Sequence, residues 1–157
     1  MITRRYEWRH AVAGDEAVAR VILNDPSVME ASGRSWPLDE AAHHSWWAAA
    51  MASDSTKISL LFTAGFITGL GRLDTPATRG GGVAVSIAIL GSWQHMGWGK
   101  VLLQNLMNQA REAYPSECLK ARIRAGNWRS IRLFAQHGFT PTRGFYAETD
   151  QLWWVRP

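Results

Sequence analysis

A turn with two glycines and a lysine stands between an apolar run and a helical pattern in the middle of the chain. The turn spans residues 92–100, contains Gly97, Gly99 and Lys100, and follows the apolar run 83–89. The first N–H groups of a helix have no intrahelical acceptor, and the helix dipole is positive there. Glycines let an anion approach the backbone, so this order of elements predicts a phosphate-binding cradle. A glycine-rich turn without a ligand is the alternative, because short glycine motifs are common.

A second motif lies downstream of the cradle. Asn127 opens a short helical pattern that ends in Gly138 and Phe139. This arrangement resembles the second signature of the GCN5-related N-acetyltransferase (GNAT) family. The turn from Gln94 to Gly99 resembles the first signature of that family, whose backbone N–H groups hold the pyrophosphate of acetyl-coenzyme A (acetyl-CoA). Two signatures in this order are more specific than either one alone.

The resemblance implies acetyl-CoA as the cofactor and three segments that would bind it. The edge of the strand before the cradle would leave backbone groups unpaired, and the amides of the pantetheine arm would complete its ladder. Asn127 resembles the asparagine of the family that contacts that arm. On the sequence alone a plain helix N-cap explains Asn127 better, and the two roles are compatible. The predicted cofactor-binding residues are Ile87, Ala88, Ile89, Gln94, His95, Met96, Gly97, Trp98, Gly99, Lys100, Asn127, Ser130 and Phe134.

The catalytic residues are less well indicated than the cofactor site. The family often places a tyrosine, as the acid for the departing thiolate, where this chain has Phe134. Tyr146 in the final loop is our candidate acid, with a packing role, Tyr114 or a water as alternatives. Ser86 is the polar residue that the fourth strand offers, and Asn127 completes the catalytic set. Without a carboxylate on that strand, we expect a water relay or an amine that is already partly deprotonated.

The front half of the chain contains Arg34 and Trp36 in its first loop, the histidine-tryptophan segment 43–47, and Gly69 in its third strand. In these residues it is similar to acetyltransferases that modify a nucleotide-linked amino sugar in pseudaminic acid biosynthesis. Indole faces stack on nucleobases and sugar rings, and an arginine pairs well with a diphosphate. The predicted substrate-binding residues are Arg34, Trp36, His43 and Trp47, and we expect Trp46 and Trp93 to line the same cleft. The alternative is that these tryptophans fill the core and that the histidine is structural.

Two rival functions remain open at this point. An acetyltransferase for a protein N-terminus, a lysine or a small polyamine is the first. A CoA-binding regulator without catalysis is the second, because Phe134 cannot donate a proton. The preferred function is an N-acetyltransferase that uses acetyl-CoA to modify a primary amine on a nucleotide-linked amino sugar.

Composition limits the class of protein and its partners. The 157 residues are 46% hydrophobic and 19% charged, which predicts one globular domain over residues 1–157. No run is long enough to span a bilayer, so we expect no membrane partner. Cys118 stands alone, which suits a reducing cytoplasm. The net charge of +4 favours small anionic ligands, and we find no nucleic-acid-reading motif. We assign no metal site, and a homodimer is left open.

The periodicity of the chain predicts the elements that position these motifs. It predicts a helix from Gly14 to Asp25 and a loop over 27–37. A second helix, Glu40 to Ala52, begins after the capping residue Asp39. Further helices follow the cradle and Asn127, while strands are predicted at 3–12, 57–63, 66–73, 83–89, 118–125, 139–143 and 149–156. The resemblance implies a mixed α/β GNAT fold. Its largely antiparallel sheet of six to seven strands would splay at strands 4 and 5 and be flanked by about four helices.

Overall fold

The computed structural model describes residues 5–75, 78–142 and 150–157, and no helix in these ranges is long and apolar enough to cross a bilayer. The strands are β1 (Tyr6–His10), β2 (Thr56–Thr63), β3 (Phe66–Asp74), β4 (Val83–Ile89), β5 (Leu119–Arg124), β6 (Thr140–Pro141) and β7 (Gln151–Arg156). The helices are α1 (Glu16–Leu23), α2 (Pro26–Ser32), α3 (Glu40–Ala52), α4 (Trp98–Ala113) and α5 (Trp128–Gln136).

The seven strands form one sheet in the order β1-β2-β3-β4-β5-β7-β6. Every neighbouring pair is antiparallel except β4 and β5. Those two strands are parallel and pair only at Val83 with Leu119 and at Ala84 with Lys120. Beyond these pairs the two strands diverge, and the sheet opens. The predicted mixed, largely antiparallel sheet with a splay at the fourth and fifth strands is therefore confirmed.

Helix α4 packs against one face of the sheet and forms the larger core with it. Leu102, Leu103 and Leu106 are fully buried in that core. Gly71 of β3 lies directly under the helix, where an added Cβ atom would stand 2.7 Å from the Leu106 side chain. Glycine at this position is thus what allows the helix to approach the sheet so closely.

Helices α1 and α3 pack against the opposite face and form a second core. It contains Ala19, Ile22, Trp47, Ala50, Ile58, Leu60, Leu70 and Ala88. Leu70 and Ala88 face each other across β3 and β4, which brings this core up to the strand that leads into the turn at 92–100.

The predicted loop over 27–37 is wrong in its first half, because residues 26–32 form the helix α2. We expected Pro26 to end a helix, and α1 does end before it, at Leu23. Pro26 also begins the next helix, since a proline at the first helical position loses no hydrogen bond. The Asp25 side chain caps this helix, and Gly33 ends it at a φ of 73°. The described chain therefore has five helices where we expected about four.

Candidate functional site: an anion cradle beside the open sheet edge

The turn between β4 and α4 presents backbone N–H groups at the start of a 16-residue helix. Gly97 is the N-cap residue, with a φ of 85° that favours glycine, and the first helical hydrogen bond runs from Val101 N to its carbonyl. The N–H groups of Gly97, Gly99 and Lys100 have no acceptor among the described residues. A Cβ atom on Gly97 would meet nothing within 4 Å, so the space before the turn is open. This geometry fits a phosphate group.

Side-chain hydrogen bonds from α2 hold the first part of this turn. The Asp25 carboxylate accepts from Gly91 N at 3.1 Å and from Ser27 N at 2.9 Å. Burial alone would raise the pKa of Asp25. The hydrogen bonds from the Ser27 side chain and from backbone N–H groups outweigh it, so the pKa lies below its ordinary value. The Gln94 amide nitrogen donates to Ser27 Oγ at 2.8 Å and to Ile89 O at 2.9 Å.

Helix α5 reaches the same turn through a residue that sequence reasoning missed. Arg129 Nη1 donates to Gln94 Oε1 at 2.9 Å, and its guanidinium lies 5.6 Å from the centre of the exposed Trp128 ring. A cation thus stands beside the cradle. The sequence signal for Arg129 is its place two residues after Asn127, in the first turn of the helix that this residue caps.

Asn127 has a structural role at the start of α5. Its Oδ1 accepts from Ser130 N at 3.2 Å, and its Nδ2 contacts Ala31 O of α2 at 3.4 Å. Asn127 is thus the N-cap residue of α5, as the structural alternative predicts. Both Asn127 and the half-buried Ser130 follow β5 closely in the chain, at the end where the sheet opens. Contact with a cofactor arm remains a prediction.

The part of β4 that faces β5 after Ala84 has no strand paired with it in the described ranges. Ile87, Ala88 and Ile89 lie on this unpaired stretch, and the carbonyl of Ile89 is already used by Gln94. Backbone groups along such an edge can pair with an extended ligand that carries amides. The edge runs directly into the cradle.

The remaining predicted cofactor residues divide into exposed and buried ones. His95, Met96 and Lys100 are exposed around the turn. Trp98 is buried, with its ring 6.5 Å from that of Trp93, so both indoles pack against the larger core. Trp93 is half-buried against this core, and its place in an acceptor cleft stays a prediction.

Phe134 is a core residue. Its side chain is 3% exposed, and its ring lies 5.0 Å from that of Phe139 in an edge-to-face arrangement. A cofactor could contact this phenyl ring only if the core opened, so our expectation of a cofactor contact there is corrected. Among the catalytic candidates, Tyr146 lies outside the described residues. Ser86 is exposed on the face of the sheet that carries α1 and α3.

The structure corrects two of the four predicted acceptor residues. Trp47 is 2% exposed, and its indole N–H donates to Ala13 O at 3.0 Å. His43 is 3% exposed between the rings of Trp46 and Trp47. Neither side chain can touch an acceptor in this arrangement, because both fill the core under α3.

Arg34 and Trp36 lie in the segment after α2. The guanidinium of Arg34 donates to Asn24 Oδ1, to Trp36 O and to Leu23 O at the end of α1. It therefore anchors this segment to the helix. Trp36 is 78% exposed and remains available to a ligand.

The burial of His43 gives a prediction for stability against pH. Burial lowers the pKa of His43 below its ordinary value; Glu16 opposes this shift, and Arg20 and His44 add to it. A histidine with a lowered folded-state pKa stabilises the fold above about pH 6.5 and loses that contribution as the pH falls. We expect His43→Phe to lose less stability than the parent between about pH 7 and pH 5. Urea unfolding at both pH values measures this, and equal losses in the two proteins would contradict it.

Comparison with known proteins agrees with this geometry. The family model described as the acetyltransferase (GNAT) domain matches residues 5–140. No curated protein matches the chain at a significant level.

Solved structures share the fold at low sequence identity. A ribosomal-protein-alanine N-acetyltransferase from Brucella melitensis is 23% identical, with a TM-score of 0.78 over 96% of this chain and 98% of its own. The protein yncA of Salmonella typhimurium, solved with its cofactor acetyl-CoA, is 23% identical, with a TM-score of 0.75 over 96% and 92%. The spermidine N-acetyltransferase of Vibrio cholerae, in complex with CoA and spermine, is 13% identical, with a TM-score of 0.78 over 96% and 92%.

The family model covers most of the chain, and the turn at 92–100, the splayed edge of β4 and the helix after Asn127 all lie within the residues that it matches. The chain belongs to the GNAT acetyltransferase family.

Proposed function

We propose that this chain is an N-acetyltransferase that moves an acetyl group from acetyl-CoA to a primary amine, and that this amine belongs to a nucleotide-linked amino sugar. The observation that carries the proposal is that two potential binding features lie side by side. The unsatisfied N–H groups at the start of α4 stand next to the unpaired edge of β4. A diphosphate fits the first feature, and an extended arm with amide groups fits the second.

The described residues divide the binding of acetyl-CoA between them. The N–H groups of Gly97, Gly99 and Lys100 hold the diphosphate, and the Lys100 side chain adds a positive charge. The backbone of residues 87–89 pairs with the pantetheine amides, and Asn127 contacts the same arm from across the splay. The Gln94 side chain holds the cradle next to the end of β4, because its amide nitrogen donates to Ile89 O and to Ser27 Oγ.

The chemistry requires little from acidic or basic side chains. Acetyl-CoA supplies a thioester whose carbonyl carbon the amine attacks, so that a C–N bond replaces the C–S bond and the thiolate takes a proton. Backbone N–H groups of the β4 edge would polarise the carbonyl; one such donor contributes on the order of 3 kcal/mol. Ser86 would orient the amine or a water that accepts its proton. A thiol with a pKa of about 8.5 leaves readily, so the acid is helpful but not essential.

Thiol release from acetyl-CoA across a panel of amines tests this function. The panel contains nucleotide-linked amino sugars, peptides with a free N-terminus, and spermidine. Turnover confined to the amino sugars supports the proposal. Turnover with peptides or with spermidine supports the rival acetyltransferases instead, and tight binding of acetyl-CoA without any turnover supports the non-catalytic regulator.

Tyr146→Phe tests the proposed acid. The phenol would protonate the departing thiolate, and general acid catalysis typically contributes about a hundredfold or more. Because a thiolate leaves readily on its own, we expect a smaller effect here, about tenfold in kcat, with an unchanged affinity for acetyl-CoA. Steady-state kinetics and calorimetry on one preparation measure both quantities. Parent-like turnover in the variant would remove Tyr146 from the mechanism.

A further inference from the structure

On the face of the sheet that carries α1 and α3, Ser86 of β4 and Arg122 of β5 are exposed among the residues that the structure describes. Leu119, Ala121 and Ile123 of β5 are buried in the core under α4, so the alternate residues of this strand point to the opposite face. Those residues are Lys120, Arg122 and Arg124. Trp153 of β7 is the direct cross-strand partner of Arg122 and therefore lies on the same face of the sheet.

Arg122 and Ser86 stand on opposite sides of the gap in the sheet. Each lies two residues beyond the last parallel pair, which joins Ala84 to Lys120, and each is exposed. Arg72 of β3 pairs with Ser86 on the side of β4 away from the gap. A row of side chains therefore crosses this face: Arg72 and Ser86 lie on one side of the gap, and Arg122 and Trp153 lie on the other. An acceptor that reaches a thioester at the β4 edge from this face passes between the two arginines.

The charges on this face are unequally compensated. Arg72 Nε lies 2.7 Å from Asp74 Oδ2, and Arg124 Nη2 lies 3.0 Å from Asp150 Oδ2. Lys120 Nζ donates a hydrogen bond to Gly81 O at 2.7 Å. Arg122 has no hydrogen bond or ion pair with any residue that the structure describes. Within the described ranges, Arg122 therefore has no counter-ion at the gap, whereas Asp74 and Asp150 pair with Arg72 and Arg124.

Aromatic rings flank these cations. The guanidinium of Arg72 lies 5.7 Å from the centre of the Trp46 ring on α3, and Lys120 Nζ lies 5.1 Å from the centre of the Trp153 ring. This face therefore has an indole on each side of the gap and, among the described residues, an arginine without a counter-ion beside it. A polyamine would meet like charge here, whereas an anionic group would meet a planar donor fork.

Resting on the acetyl transfer proposed above, we propose that Arg122 binds an oxyanion carried by the primary-amine acceptor, which is a phosphate, as in a nucleotide-linked amino sugar, or a carboxylate. Arginine binds both groups through two parallel N–H donors, which fixes the orientation of the ligand as well as its position. With the anion on Arg122, the amine of such a molecule points back across the gap towards Ser86. Trp46 and Trp153 would then limit the width of the bound molecule.

Matched pairs of acceptors test this inference and separate the two sources of the anion. Glucosamine against glucosamine 6-phosphate tests phosphate, and β-alaninamide against β-alanine tests carboxylate. We expect the anionic member of at least one pair to have a kcat/KM about tenfold to a hundredfold higher, the usual range for a hydrogen-bonded charge pair. Arg122→Gln should remove most of this preference through KM. The matched control Arg111→Gln changes the same side chain, exposed in the last turn of α4 on the other face, and should keep the preference.

The outcomes separate this inference from the function on which it rests. One outcome is that amines are acetylated while the two members of each pair have equal kcat/KM. Another is that Arg122→Gln lowers kcat/KM for both members by the same factor. Either result shows that the oxyanion site is wrong and that the acetyltransferase stands. If no amine reacts, calorimetric titration of the CoA-loaded chain with N-acetylglucosamine 6-phosphate and, separately, with N-acetyl-β-alanine decides. Binding that Arg122→Gln weakens at least about tenfold upholds the site. Binding that the substitution leaves unchanged, or no binding, overturns it.

Discussion

Gly97→Val is expected to weaken acetyl-CoA binding on the order of a hundredfold while the fold persists. The substitution places a branched side chain in the open space before the turn, where the diphosphate would lie, and forces a β-branched residue to a φ of 85°. Both effects displace the N–H groups that would bind the anion, and hydrogen bonds to charged groups contribute about 1.5–3 kcal/mol each. Calorimetric titration with acetyl-CoA, with circular dichroism on the same sample, measures the result.

Gly80→Val is the matched control for this experiment. Gly80 has a φ of 82° and also has nothing within 4 Å of an added Cβ atom, but it lies between β3 and β4, in the loop before Val83. Its strain should match that of Gly97→Val, roughly 1–2 kcal/mol for a residue held in the left-handed region. We expect this variant to keep parent-like affinity. Equal losses of affinity in the two variants would show that strain, not the cradle, caused the effect.

Asp25→Ala is expected to lower both the stability of the fold and the affinity for acetyl-CoA. The carboxylate caps α2 and also accepts from Gly91 N at the start of the cradle turn. Its removal leaves these partly buried donors unsatisfied, and we expect a loss of about 2–3 kcal/mol in the free energy of unfolding. Because the pKa of Asp25 is lowered in the fold, this contribution is present above about pH 4 and is lost as the pH falls through the folded-state pKa.

Asp39→Ala separates the cap from the cradle. Asp39 caps α3 through a single hydrogen bond, Ala42 N to its carboxylate at 2.9 Å, and no hydrogen bond joins it to the turn. Loss of an ordinary cap costs about 1 kcal/mol, and we expect no change in acetyl-CoA affinity. Urea unfolding and calorimetry on both variants make the comparison. If Asp25→Ala behaves like Asp39→Ala in both measurements, the hydrogen bond to Gly91 does not support the site.

Local signals were sufficient for the cradle and for most of the elements. The apolar run 83–89, the glycines at 97 and 99 and the helical spacing after them lie close together in the sequence, so strand, turn and helix could be predicted in order. The alternation of apolar and basic residues in 119–124 is also a local signal, and it puts Arg122 on the opposite side of the strand from Ile123. The helix α2 also has a local signal, because Asp25 and Pro26 together mark a helix start as well as the end of the helix before them.

Contacts between distant segments could not be predicted from the sequence. The tie from Asp25 to Gly91 and the position of Arg122 across from Ser86 depend on strand order and register, which no single segment encodes. The burial of Trp47 and His43 was missed for a different reason. Apolar residues are spread all around α3, an alanine-rich helix, so its sequence does not tell which aromatic face points inward.

Hydrogen exchange with and without acetyl-CoA tests the central claim most directly. The claim is that amides at the start of α4 hold the diphosphate while the open edge of β4 aligns the acyl arm. We expect slower exchange in two segments on binding, residues 95–100 and 85–89, and little change at the Gly80 loop. Slower exchange confined to other parts of the chain, or no change at saturating acetyl-CoA, would contradict the account.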